Sequence, residues 1–587
     1  MSTIVRRQEM SLVAVLSRFA RERGEEPALT FLDYSQGLNG EPRTHTYAET
    51  DHAAASVAAE LSRRCPPGSR VAITGSHDFE FVTAFLGCLY SGRIAVPLPP
   101  AESHRKNDRI LSAVADAQPA LVLTGRQAVT KTATVVEEAG IPAKSVCAIA
   151  DLIEPGTAAS TPEPAPDTVA YLQYTSGSTG SPAGVRISHG NMAANARQIS
   201  EFAGYLGPGT PLVSWVPFFH DLGLITGLVA PLSVGAHVVH LSPIAFVQSP
   251  YRWLKAVSDY RSAWMVGPNF SYELCATRVR AEQKRALDLS SLRGLVSGGE
   301  PVRPESQRVF AEAFADCGLT ADLDAGAYGL AEATLCVTAH QDEKGKSTSY
   351  FDRAELTGGR VRGAMPGPGS VALASCGTPV SDVRIAIVDP ESGVEAAPDE
   401  VGEIWVSGPN VADGYWRKPE LTEQTFHSAL WRRDGRADGD WLRTGDTGFL
   451  SQNRLFVLGR RKEMLIVDGR NHYPADIEAT VRDSGTDSGL GGVAVFAVEE
   501  AGREVVVAVA EAHRGDVVSP ARRTAIETGI RRAVSAAHGI ALHEVVLVPW
   551  GAIPRTSSHK IRRLGCRDEY TRRALRRFTE RDNDEQE

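Results

Sequence analysis

The sequence lacks several features that identify whole classes of proteins. Its eight cysteines form no Cys-x-x-Cys pair, which argues against a disulfide framework or a zinc site and fits a reducing compartment. It has no excess of positive charge, because 62 Lys and Arg residues face 71 Asp and Glu residues, for a net charge of −9. This balance argues against a nucleic-acid binder that relies on overall charge. No signal peptide is evident, and we expect a cytoplasmic protein.

An uninterrupted apolar segment long enough to cross a membrane is also missing. Residues 222–247 contain no Asp, Glu, Lys or Arg, but Pro231, Gly235 and Pro243 interrupt them. This pattern predicts a short buried helix followed by a buried strand, and not a membrane span.

The length and the apolar pattern indicate an α/β fold of more than one unit. A chain of 587 residues exceeds what one hydrophobic core normally organises. Short β-branched runs alternate with helical stretches, which favours parallel sheets. The clearest runs are Val71–Gly75, Ala120–Gly125, Val169–Tyr174, His237–Leu241 and Leu295–Ser297. Apolar residues from Leu12 to Phe19 recur at helical spacing and predict an amphipathic helix near the start.

The pattern changes after Lys462, where we place a domain boundary. Pro474 suits the first turn of a predicted helix. Three apolar runs then predict the strands of a compact α+β unit. They are Val493–Val498, Glu504–Ala510 and Val545–Val548.

Two stretches before this boundary show little periodicity. Residues 154–168 are rich in Pro, Ala, Ser and Thr and predict a surface linker. The stretch from His340 to Val371 is rich in Gly, Lys, Ser and Arg, and it predicts an inserted loop or a small excursion from the core.

A run of small and hydroxyl-bearing residues follows the predicted strand Val169–Tyr174. It reads Thr175, Ser176, Gly177, Ser178, Thr179 and Gly180, and continues to Gly184. Its glycines allow close backbone approach, and its hydroxyl and N–H groups can surround a phosphate. It is not a Walker A loop, because no Gly-Lys-Ser/Thr closes it. A plain Ser/Gly surface loop is the alternative.

Three further motifs carry charged side chains suited to nucleotide chemistry. Glu332 follows Tyr328-Gly329 and offers a carboxylate to a hard cation such as Mg²⁺. Asp446 and Arg460 offer hydrogen bonds to ribose hydroxyls. Lys560 lies on a run of small residues, from which its charge can reach a developing anion. Taken singly, each is more often an ordinary surface or turn residue.

In this order, the four motifs resemble the adenylate-forming superfamily of acyl-CoA synthetases, adenylation domains and luciferases. The resemblance extends from Thr46 to Lys560. Within the superfamily the sequence is most similar to fatty acyl-AMP ligases. This closer likeness rests on the stretches 172–175, 214–221, 267–275, 298–302 and 469–474, and on the extra segment after Glu332.

The resemblance implies a fold and a division into domains. It implies a large amino-terminal domain over 1–461, built of stacked α/β subdomains and a β-barrel-like subdomain, with a subfamily insertion at 340–373. A small mobile α+β domain over 462–587 would carry the catalytic lysine. Lys462 would be the hinge between them.

The resemblance also implies ATP-dependent formation of an acyl-adenylate, followed by transfer to a phosphopantetheine thiol. The acid would be fatty, and the acceptor an acyl carrier protein or a synthase module. Lys560, Glu332 and Thr175 would be catalytic, with Thr175 and Glu332 near Mg²⁺. The other nucleotide-binding residues would be Ser176, Gly177, Ser178, Thr179, Gly180, Gly299, Glu300, Pro301, Ala327, Tyr328, Gly329, Asp446 and Arg460. The acyl pocket would involve Trp215, His220, Phe270 and Tyr272.

The sequence departs from the family pattern at two positions. Ala183 occupies a position where the phosphate loop of the family usually has lysine, and Arg186 offers an alternative charge. His559 replaces the usual glycine before the catalytic lysine. Two other readings stay open: an ordinary acyl-CoA synthetase, and a nucleotide-binding protein that has lost catalysis. We expect a monomer that binds no nucleic acid.

A basic cluster in the last domain suggests where an acidic carrier protein could dock. From Lys560 to Arg577 eight residues are basic and two are acidic. The basic residues are Lys560, Arg562, Arg563, Arg567, Arg572, Arg573, Arg576 and Arg577. A solvated terminal helix with internally paired arginines is the alternative.

Overall fold

The structure is a computed structural model of the chain. It describes residues 10–35, 37, 39–101, 107–153, 163–174, 183–204, 206–320, 323–340, 348–484, 489–500, 503–517, 519–555 and 560–578. The chain forms two compact units. Unit 1 comprises Met1–Ser347, Ala374–Ala386 and Trp405–Thr444, and unit 2 comprises Thr348–Leu373, Ile387–Ile404 and Gly445–Glu587.

The described residues form α-helices of very different lengths, from one turn to five. In chain order they are α1 Leu12–Glu22, α2 Tyr47–Arg64, α3 Phe79–Ser91, α4 Asp108–Ala117, α5 Val129–Glu137, α6 His189–Ala203, α7 Asp221–Leu224, α8 Ala230–Ser233, α9 Pro243–Gln248, α10 Tyr251–Tyr260, α11 Asn269–Arg278, α12 Ala281–Lys284, α13 Pro304–Ala313, α14 Arg353–Thr357, α15 Pro419–Phe426, α16 Pro474–Asp483, α17 Pro520–His538 and α18 Arg563–Thr571.

The strands are mostly short. In chain order they are β1 Pro27–Asp33, β2 Glu41–Thr46, β3 Arg70–Ile73, β4 Ile94–Pro97, β5 Leu121–Thr124, β6 Val146–Ala148, β7 Val169–Tyr174, β8 Gly184–Ser188, β9 Pro211–Ser214, β10 His237–Leu241, β11 Trp264–Gly267, β12 Gly294–Ser297, β13 Asp324–Gly329, β14 Cys336–Ala339, β15 Thr348–Asp352, β16 Ser370–Ala374, β17 Thr378–Pro379, β18 Arg384–Val388, β19 Gly402–Ser407, β20 Ser428–Trp431, β21 Ala437–Ser451, β22 Arg454–Arg460, β23 Leu465–Val467, β24 Arg470–His472, β25 Val493–Glu500, β26 Arg503–Ala512 and β27 Leu542–Pro549.

Unit 1 contains three sheets with parallel strands. The first has the order β6-β5-β3-β4-β7-β8, in which only β8 runs antiparallel to its neighbour. The second has the order β2-β1-β10-β9, and the third β11-β12-β13-β14-β17. In the third sheet β11, β12 and β13 are parallel. Parallel strands of one sheet end at a common edge, where ligands of α/β proteins usually bind.

Unit 2 contains a three-stranded sheet with helices on both faces. Strand β26 is central, antiparallel to β25 and parallel to β27. Successive side chains of a strand point to opposite faces. Accordingly, Val493 and Val495 pack in a core with residues of α16 and α17, whereas Ala494 and Phe496 pack with Cys566 of α18. This is the α+β unit that the sequence predicts.

Several local predictions are confirmed. The helix α1 buries Leu12 and Phe19 and is capped by Ser11, whose hydroxyl accepts from Ala14 N at 3.2 Å. Residues 221–233 form a helix with a central π-helical turn, followed by the buried strand β10. No helix among the described residues is long and apolar enough to cross a membrane. All eight cysteines are free thiols.

The weakly periodic stretch before residue 373 is partly structured. From Thr348 onwards it forms β15, α14 and β16, and the two strands make their own small sheet. Its first part, and residues 154–162 of the predicted linker, lie outside the described residues. Unit 2 includes residues before Lys462, so the predicted boundary at that residue stays a prediction, as does barrel closure by the strands between 384 and 460.

Candidate active site

The predicted phosphate loop connects two neighbouring strands of unit 1. Strand β7 ends at Tyr174, which lies opposite Gly184 of the antiparallel strand β8. The predicted binding residues Thr175, Ser176, Gly177, Ser178, Thr179 and Gly180 lie outside the described residues. The strand that leads to them is firmly held. Arg109 Nη2 donates to Tyr174 O at 3.0 Å, and Gln173 Nε2 donates to Phe219 O at 3.1 Å.

Ala183, at the position where the family usually has lysine, and Arg186, the alternative charge, both lie within the described residues. Ala183 is buried, with 7% of its surface exposed. Arg186 is half-buried on β8, and its backbone N–H donates to Gly414 O at 2.9 Å. Alternation along the strand gives Arg186 the same side as Gly184, the residue at the loop's end. Arg186 therefore lies two residues beyond the end of the loop, and a role for its charge in phosphate binding stays a prediction.

The two segments predicted to flank adenine meet at one edge of the third sheet. Ser297, the last residue of β12, lies beside Gly267 of β11 and Gly326 of β13. The loop with Gly299, Glu300 and Pro301 therefore leaves the same edge as the helix that follows β11. The sequence Ala327-Tyr328-Gly329 forms the end of β13. Gly329 is required sterically, because a Cβ there would lie 1.8 Å from Leu335 O.

A buried amide organises this edge. Asn269, at the start of α11, is 1% exposed. Its backbone and side-chain N–H groups donate to Glu300 Oε1 at 2.8 and 2.9 Å, and its side chain also donates to Pro301 O at 2.9 Å. Its Oδ1 accepts from Ser297 Oγ and Arg303 N, both at 3.0 Å. Glu300 is thus used to hold the loop, and a direct contact with adenine stays a prediction.

Glu332 occupies a 3₁₀ turn directly after β13. Its Oε1 accepts a hydrogen bond from the Tyr415 hydroxyl at 2.9 Å, and its backbone carbonyl accepts from Ala412 N at 2.9 Å. Tyr415 also forms an isolated β-bridge with Val185, next to the phosphate loop. The turn and the start of β8 therefore share one anchor, Tyr415.

Further buried amides support the Glu332 turn from behind. Asn410 donates to Ala333 O at 3.2 Å and to Cys336 O at 2.9 Å. Asn195 of α6 donates to Cys336 O and accepts from Cys336 N, both at 2.9 Å. Thr334 has a φ of 64°, and its hydroxyl donates to Asn410 O at 2.7 Å. The strained backbone is thus fixed by side chains from two other elements.

The half-buried carboxylate of Glu332 fits a ligand of Mg²⁺. Hard divalent cations prefer oxygen ligands and bind through one or two carboxylates plus the phosphates of the nucleotide. The Tyr415 hydroxyl orients the Glu332 carboxylate as outer partners of metal ligands typically do. Thr175, the second predicted ligand, is outside the described residues.

Two of the predicted acyl-pocket residues belong to an aromatic cluster in unit 1. Trp215 stacks on Phe246 with ring centroids 4.0 Å apart and meets Phe270 edge-on at 5.8 Å. Tyr272 differs: it is fully buried, and its hydroxyl donates to Val296 O at 2.8 Å. The structure gives Tyr272 a packing role in the core, and a substrate contact for it stays a prediction.

His220 lies at the start of α7, on the turn that Gln173 holds. Its Nδ1 is 2.5 Å from Asp221 Oδ1. Phe218 of the same turn stacks on His77, with ring centroids 3.8 Å apart. Both ring nitrogens of His77 are buried and have no hydrogen-bond partner among the described residues. Burial lowers the pKa of His77 to about 3, so the ring is neutral at physiological pH.

Unit 2 carries the remaining predicted residues. Asp446 of β21 and Arg460 of β22 are direct cross-strand partners, and Arg460 Nε lies 2.9 Å from Asp446 Oδ1. Asp446 is buried, whereas the Arg460 side chain is 45% exposed. The structure therefore brings the two predicted ribose ligands together. Lys462 is exposed on the 3₁₀ turn after β22.

Lys560 is half-buried at the end of a loop whose stems are paired. Arg555 and Ile561 form a β-bridge, and Arg562 N donates to Pro554 O at 2.8 Å. Residues 556–559, including His559, lie outside the described residues.

Sequence reasoning missed the residues that hold the predicted ones in place. Asn269, Tyr415 and Asn410 carry no charge and belong to no motif that names a reaction. The signals for them are weak: Asn269 lies in the stretch 267–275, after a strand end and a proline, and Tyr415 follows a glycine.

Comparison with known proteins gives consistent matches along the chain. The sequence profile of the AMP-binding enzyme family matches residues 16–416, and that of the Disco-interacting protein 2-like AMP domain matches residues 462–580. The long-chain-fatty-acid–AMP ligase FadD26 of Mycobacterium marinum is 40% identical over 96% of this chain and 97% of its own length. FadD21 of Mycobacterium tuberculosis, which carries a provisional fatty-acid–CoA ligase name, is 38% identical over 98% of this chain and 100% of its own.

Solved structures resemble the whole fold. The fatty acid AMP ligase of Legionella pneumophila is 35% identical, covers 97% of both chains and has a TM-score of 0.73. The fatty acyl-adenylate ligase of the same organism, in complex with acyl adenylate and pyrophosphate, is also 35% identical, with 96% of both chains covered and a TM-score of 0.73.

Proposed function

The chain belongs to the AMP-binding enzyme family, and we propose that it activates a fatty acid as acyl-AMP and transfers the acyl group to a protein-bound phosphopantetheine thiol. One observation carries the proposal: the two segments predicted to flank adenine lie at one edge of three parallel strands, in a chain similar over nearly its whole length to a fatty-acid–AMP ligase. The carboxyl edge of such a sheet is where nucleotides bind in open α/β folds.

In the first half-reaction, a carboxylate oxygen of the acid attacks the α-phosphorus of ATP. A bond forms between this oxygen and the α-phosphorus, the bond between the α-phosphorus and the oxygen that bridges to the β-phosphorus breaks, and pyrophosphate leaves. Catalysis of this kind depends mainly on positioning and on stabilising negative charge. We assign the phosphate cradle to residues 175–180, ribose binding to Asp446 and Arg460, and the charge at the α-phosphate to Lys560. A bound Mg²⁺, held by Glu332 and Thr175, would neutralise phosphate charge.

In the second half-reaction, a thiol attacks the acyl carbonyl carbon. A thioester forms, AMP leaves with the electron pair of the broken acyl–oxygen bond, and the thiol proton passes to solvent or to a base. We propose that the residues after Lys462 rotate between the two steps and withdraw Lys560. Such a movement is a known way to run two reactions at one site.

The contacts of the insertion favour a carrier-bound thiol over free coenzyme A. In unit 2, Phe351, Leu356 and Val371 of the insertion share a buried cluster with Tyr473. Arg353 Nε also donates to Asp476 Oδ2 of α16 at 2.9 Å, in an ion pair whose side chains are 15% and 18% exposed. These contacts hold the insertion to residues after Lys462. They support the proposal that the insertion limits the movement of these residues in the second half-reaction, which would disfavour free coenzyme A.

The basic cluster of the last domain also supports a carrier protein as the acceptor, but fewer of its residues are exposed and unpaired than the sequence suggests. Arg563 and Arg577 are used internally, because they pair with Glu478 and Glu544. Arg572, Arg573 and Arg576 are exposed, and no ion pair joins them to any residue in the described part of the chain. We propose that these three residues, the exposed arginine patch, steer an acidic carrier domain.

A two-step assay tests the proposed function. Purified enzyme is given ATP, Mg²⁺ and fatty acids of graded length, and pyrophosphate release and acyl-hydroxamate are measured. We expect acyl-AMP with fatty acids, loading of a holo carrier protein, and little acyl-CoA. Absence of pyrophosphate release with every acid would contradict the proposal, and efficient acyl-CoA formation would favour the coenzyme A ligase alternative.

The variant Arg353→Ala tests whether the insertion limits the movement of the residues after Lys462. Loss of the ion pair with Asp476 is expected to raise acyl-CoA formation several-fold, with acyl-AMP formation nearly unchanged. Arg360→Ala, a change of another arginine in the same insertion, is the control.

A further inference from the structure

Three carboxylates hold the stems of the Lys560 loop, one on the incoming side and two on the outgoing side. On the incoming side, Glu511 of β26 is fully buried. It accepts hydrogen bonds from Gly492 N at 2.9 Å, Ile553 N at 3.1 Å and Arg555 Nη2 at 2.7 Å. The chain that enters the loop is therefore anchored to the central strand of the sheet of unit 2.

On the outgoing side, the anchor is Arg563, three residues after Lys560. Its Nε and Nη2 donate to the two carboxylate oxygens of Glu478 at 2.8 and 3.0 Å. Its Nη1 donates to Glu463. The guanidinium thus joins α16 and the turn after β22 to the first residue of α18.

The position of Glu463 gives this ion pair a meaning beyond packing. Glu463 directly follows Lys462, the predicted hinge residue, in the same 3₁₀ turn. Arg563 therefore connects the hinge turn with the outgoing stem of the Lys560 loop in a single contact. Glu478 has another task, because its Oε1 also accepts from Val495 N at 3.0 Å. One carboxylate belongs to the sheet and helix framework, the other to the hinge.

Because these groups are largely buried, the link depends on the balance of charge among them. The side chains of Arg563, Glu463 and Glu478 are 16%, 17% and 8% exposed. Burial alone would lower the pKa of Arg563, but the charges of Glu478 and Glu463 outweigh it and raise the pKa. Removal of one partner from such a group leaves charge that the surroundings do not compensate.

We propose that Arg563 is a positioning residue that, through Glu463, fixes the Lys560 loop to the hinge turn, so that the lysine and the hinge move as one body. The inference rests on the proposed function. It assigns to Arg563 and Glu463 no contact with substrate. They act through Lys560, and their loss should affect only the half-reaction that needs this lysine.

The test is the variant Glu463→Gln, measured in both half-reactions. Pyrophosphate release reports the first, and loading of a holo carrier protein from added acyl-AMP reports the second. We expect the first rate to fall on the order of tenfold, since a small misplacement of a catalytic group is costly, and the second to change less than about twofold.

Two further measurements separate positioning from stability. In the Lys560→Ala background, Glu463→Gln should have no additional effect on the first half-reaction, because the residue through which it acts is already gone. Glu544→Gln is the matched control: Glu544 pairs with Tyr570 in the last turn of α18 and with Arg577 beyond that helix, but not with the hinge turn. It should leave the ratio of the two rates as in the wild type.

The outcomes are distinct. Equal loss in both half-reactions, additive loss in the Lys560→Ala background, or an equal effect of Glu544→Gln would overturn the proposal and leave Arg563 a structural ion pair. Failure of the proposed function itself would be seen differently, as absence of pyrophosphate release by the wild-type enzyme with every fatty acid.

Discussion

The two units hold their candidate site residues by different chemistry. In unit 1 the supports are neutral amides: Asn269 fixes the Glu300 loop, and Asn195 and Asn410 fix the Glu332 turn. In unit 2 they are ion pairs, among them those of Arg460 with Asp446 and of Arg555 with Glu511. Amide networks cost little desolvation and fix backbone groups in one geometry, whereas buried ion pairs are stronger in isolation but depend on charge balance.

This difference matches the tasks that we propose for the units. Unit 1 would offer fixed backbone and side-chain groups to the nucleotide, so damage to its supports should weaken binding. Unit 2 would deliver one positive charge to the reacting phosphate, so damage there should slow the chemical step. The predictions on activity below test this division, from the largest expected change in rate or KM to the smallest, and one further prediction concerns stability.

Lys560→Ala is expected to have the largest effect. Loss of a charge placed at the transition state costs about 10²–10³ in rate, so pyrophosphate release should fall by that factor. Loading of a carrier protein from added acyl-AMP should be nearly preserved. Lys255→Ala, which removes a half-buried lysine of α10 paired with Asp259, serves as the control. Equal damage to both half-reactions would contradict the division of labour.

Asn269→Ala tests the amide supports of unit 1. The change removes the side-chain amide that contacts Glu300, Ser297 and the Pro301 carbonyl, leaves Glu300 only the backbone N–H of residue 269, and loosens the loop at the sheet edge. We expect the KM for ATP to rise about tenfold, equivalent to roughly 1.4 kcal/mol of binding free energy, with a smaller change in kcat. The exposed Asn39→Ala is the control. A fall in kcat with an unchanged KM would place this amide among the groups that serve the chemical step.

The contrast between the units also explains what sequence could and could not predict. Strands such as β7 and β10 match their apolar runs residue for residue, because their burial leaves a continuous pattern in the sequence. Asp446 and Arg460 were recognised by type, and the register of two strands then brings them together. Asn269 and Asn410 could not be recognised, because their partners are distant in sequence and most are backbone groups, which no residue type marks.

Tyr272 shows a related limit of sequence-based prediction, because residue type alone does not distinguish a substrate contact from a core position. An aromatic residue near a predicted pocket fits a substrate contact and a core position equally well. The direction of the side chain decides, and this depends on the packing of α11 against Phe310. Likewise, the basic cluster was predicted as one surface, but the structure uses Arg563 and Arg577 in ion pairs, which only tertiary contacts reveal.

His77→Phe tests a neutral group of unit 1 through pH. Burial lowers the pKa of His77 from 6.5 to about 3, so the unfolded chain takes up the proton first as the pH falls. Stability is therefore lost as the pH drops below about 6.5, and the loss levels off near pH 3. Between pH 7 and pH 5 this group should cost about 2 kcal/mol of unfolding free energy.

The measurement for His77→Phe is thermal or urea unfolding of both proteins at pH 7 and pH 5. The variant should lose less stability than the wild type between the two values, because phenylalanine keeps the stack on Phe218 and cannot take up a proton. The exposed His52→Phe controls for removal of a histidine as such. Equal acid sensitivity of wild type and His77→Phe would show that the buried ring is not the group that responds to acid.

The exposed arginine patch, Arg572, Arg573 and Arg576, is expected to give the smallest effect. Electrostatic steering changes the association rate more than the affinity, and it fades when salt shortens the Debye length below about 8 Å. The triple change to Gln should therefore slow carrier loading a few-fold at low salt and low carrier concentration, with pyrophosphate release unchanged. Residues 580–587, which include five Asp and Glu residues, are kept unchanged in every variant.

A second triple variant makes the arginine test specific. Arg503, Arg522 and Arg532 belong to other elements of unit 2 and are also exposed, so their change to Gln alters the net charge by the same amount. If steering depends on the patch, only the first variant loses rate, and its deficit disappears as salt is raised. If both variants slow loading equally, the overall charge of the unit attracts the carrier and the patch has no special place. If neither does, the carrier is captured by short-range contacts, and the arginines serve only to keep this surface in water.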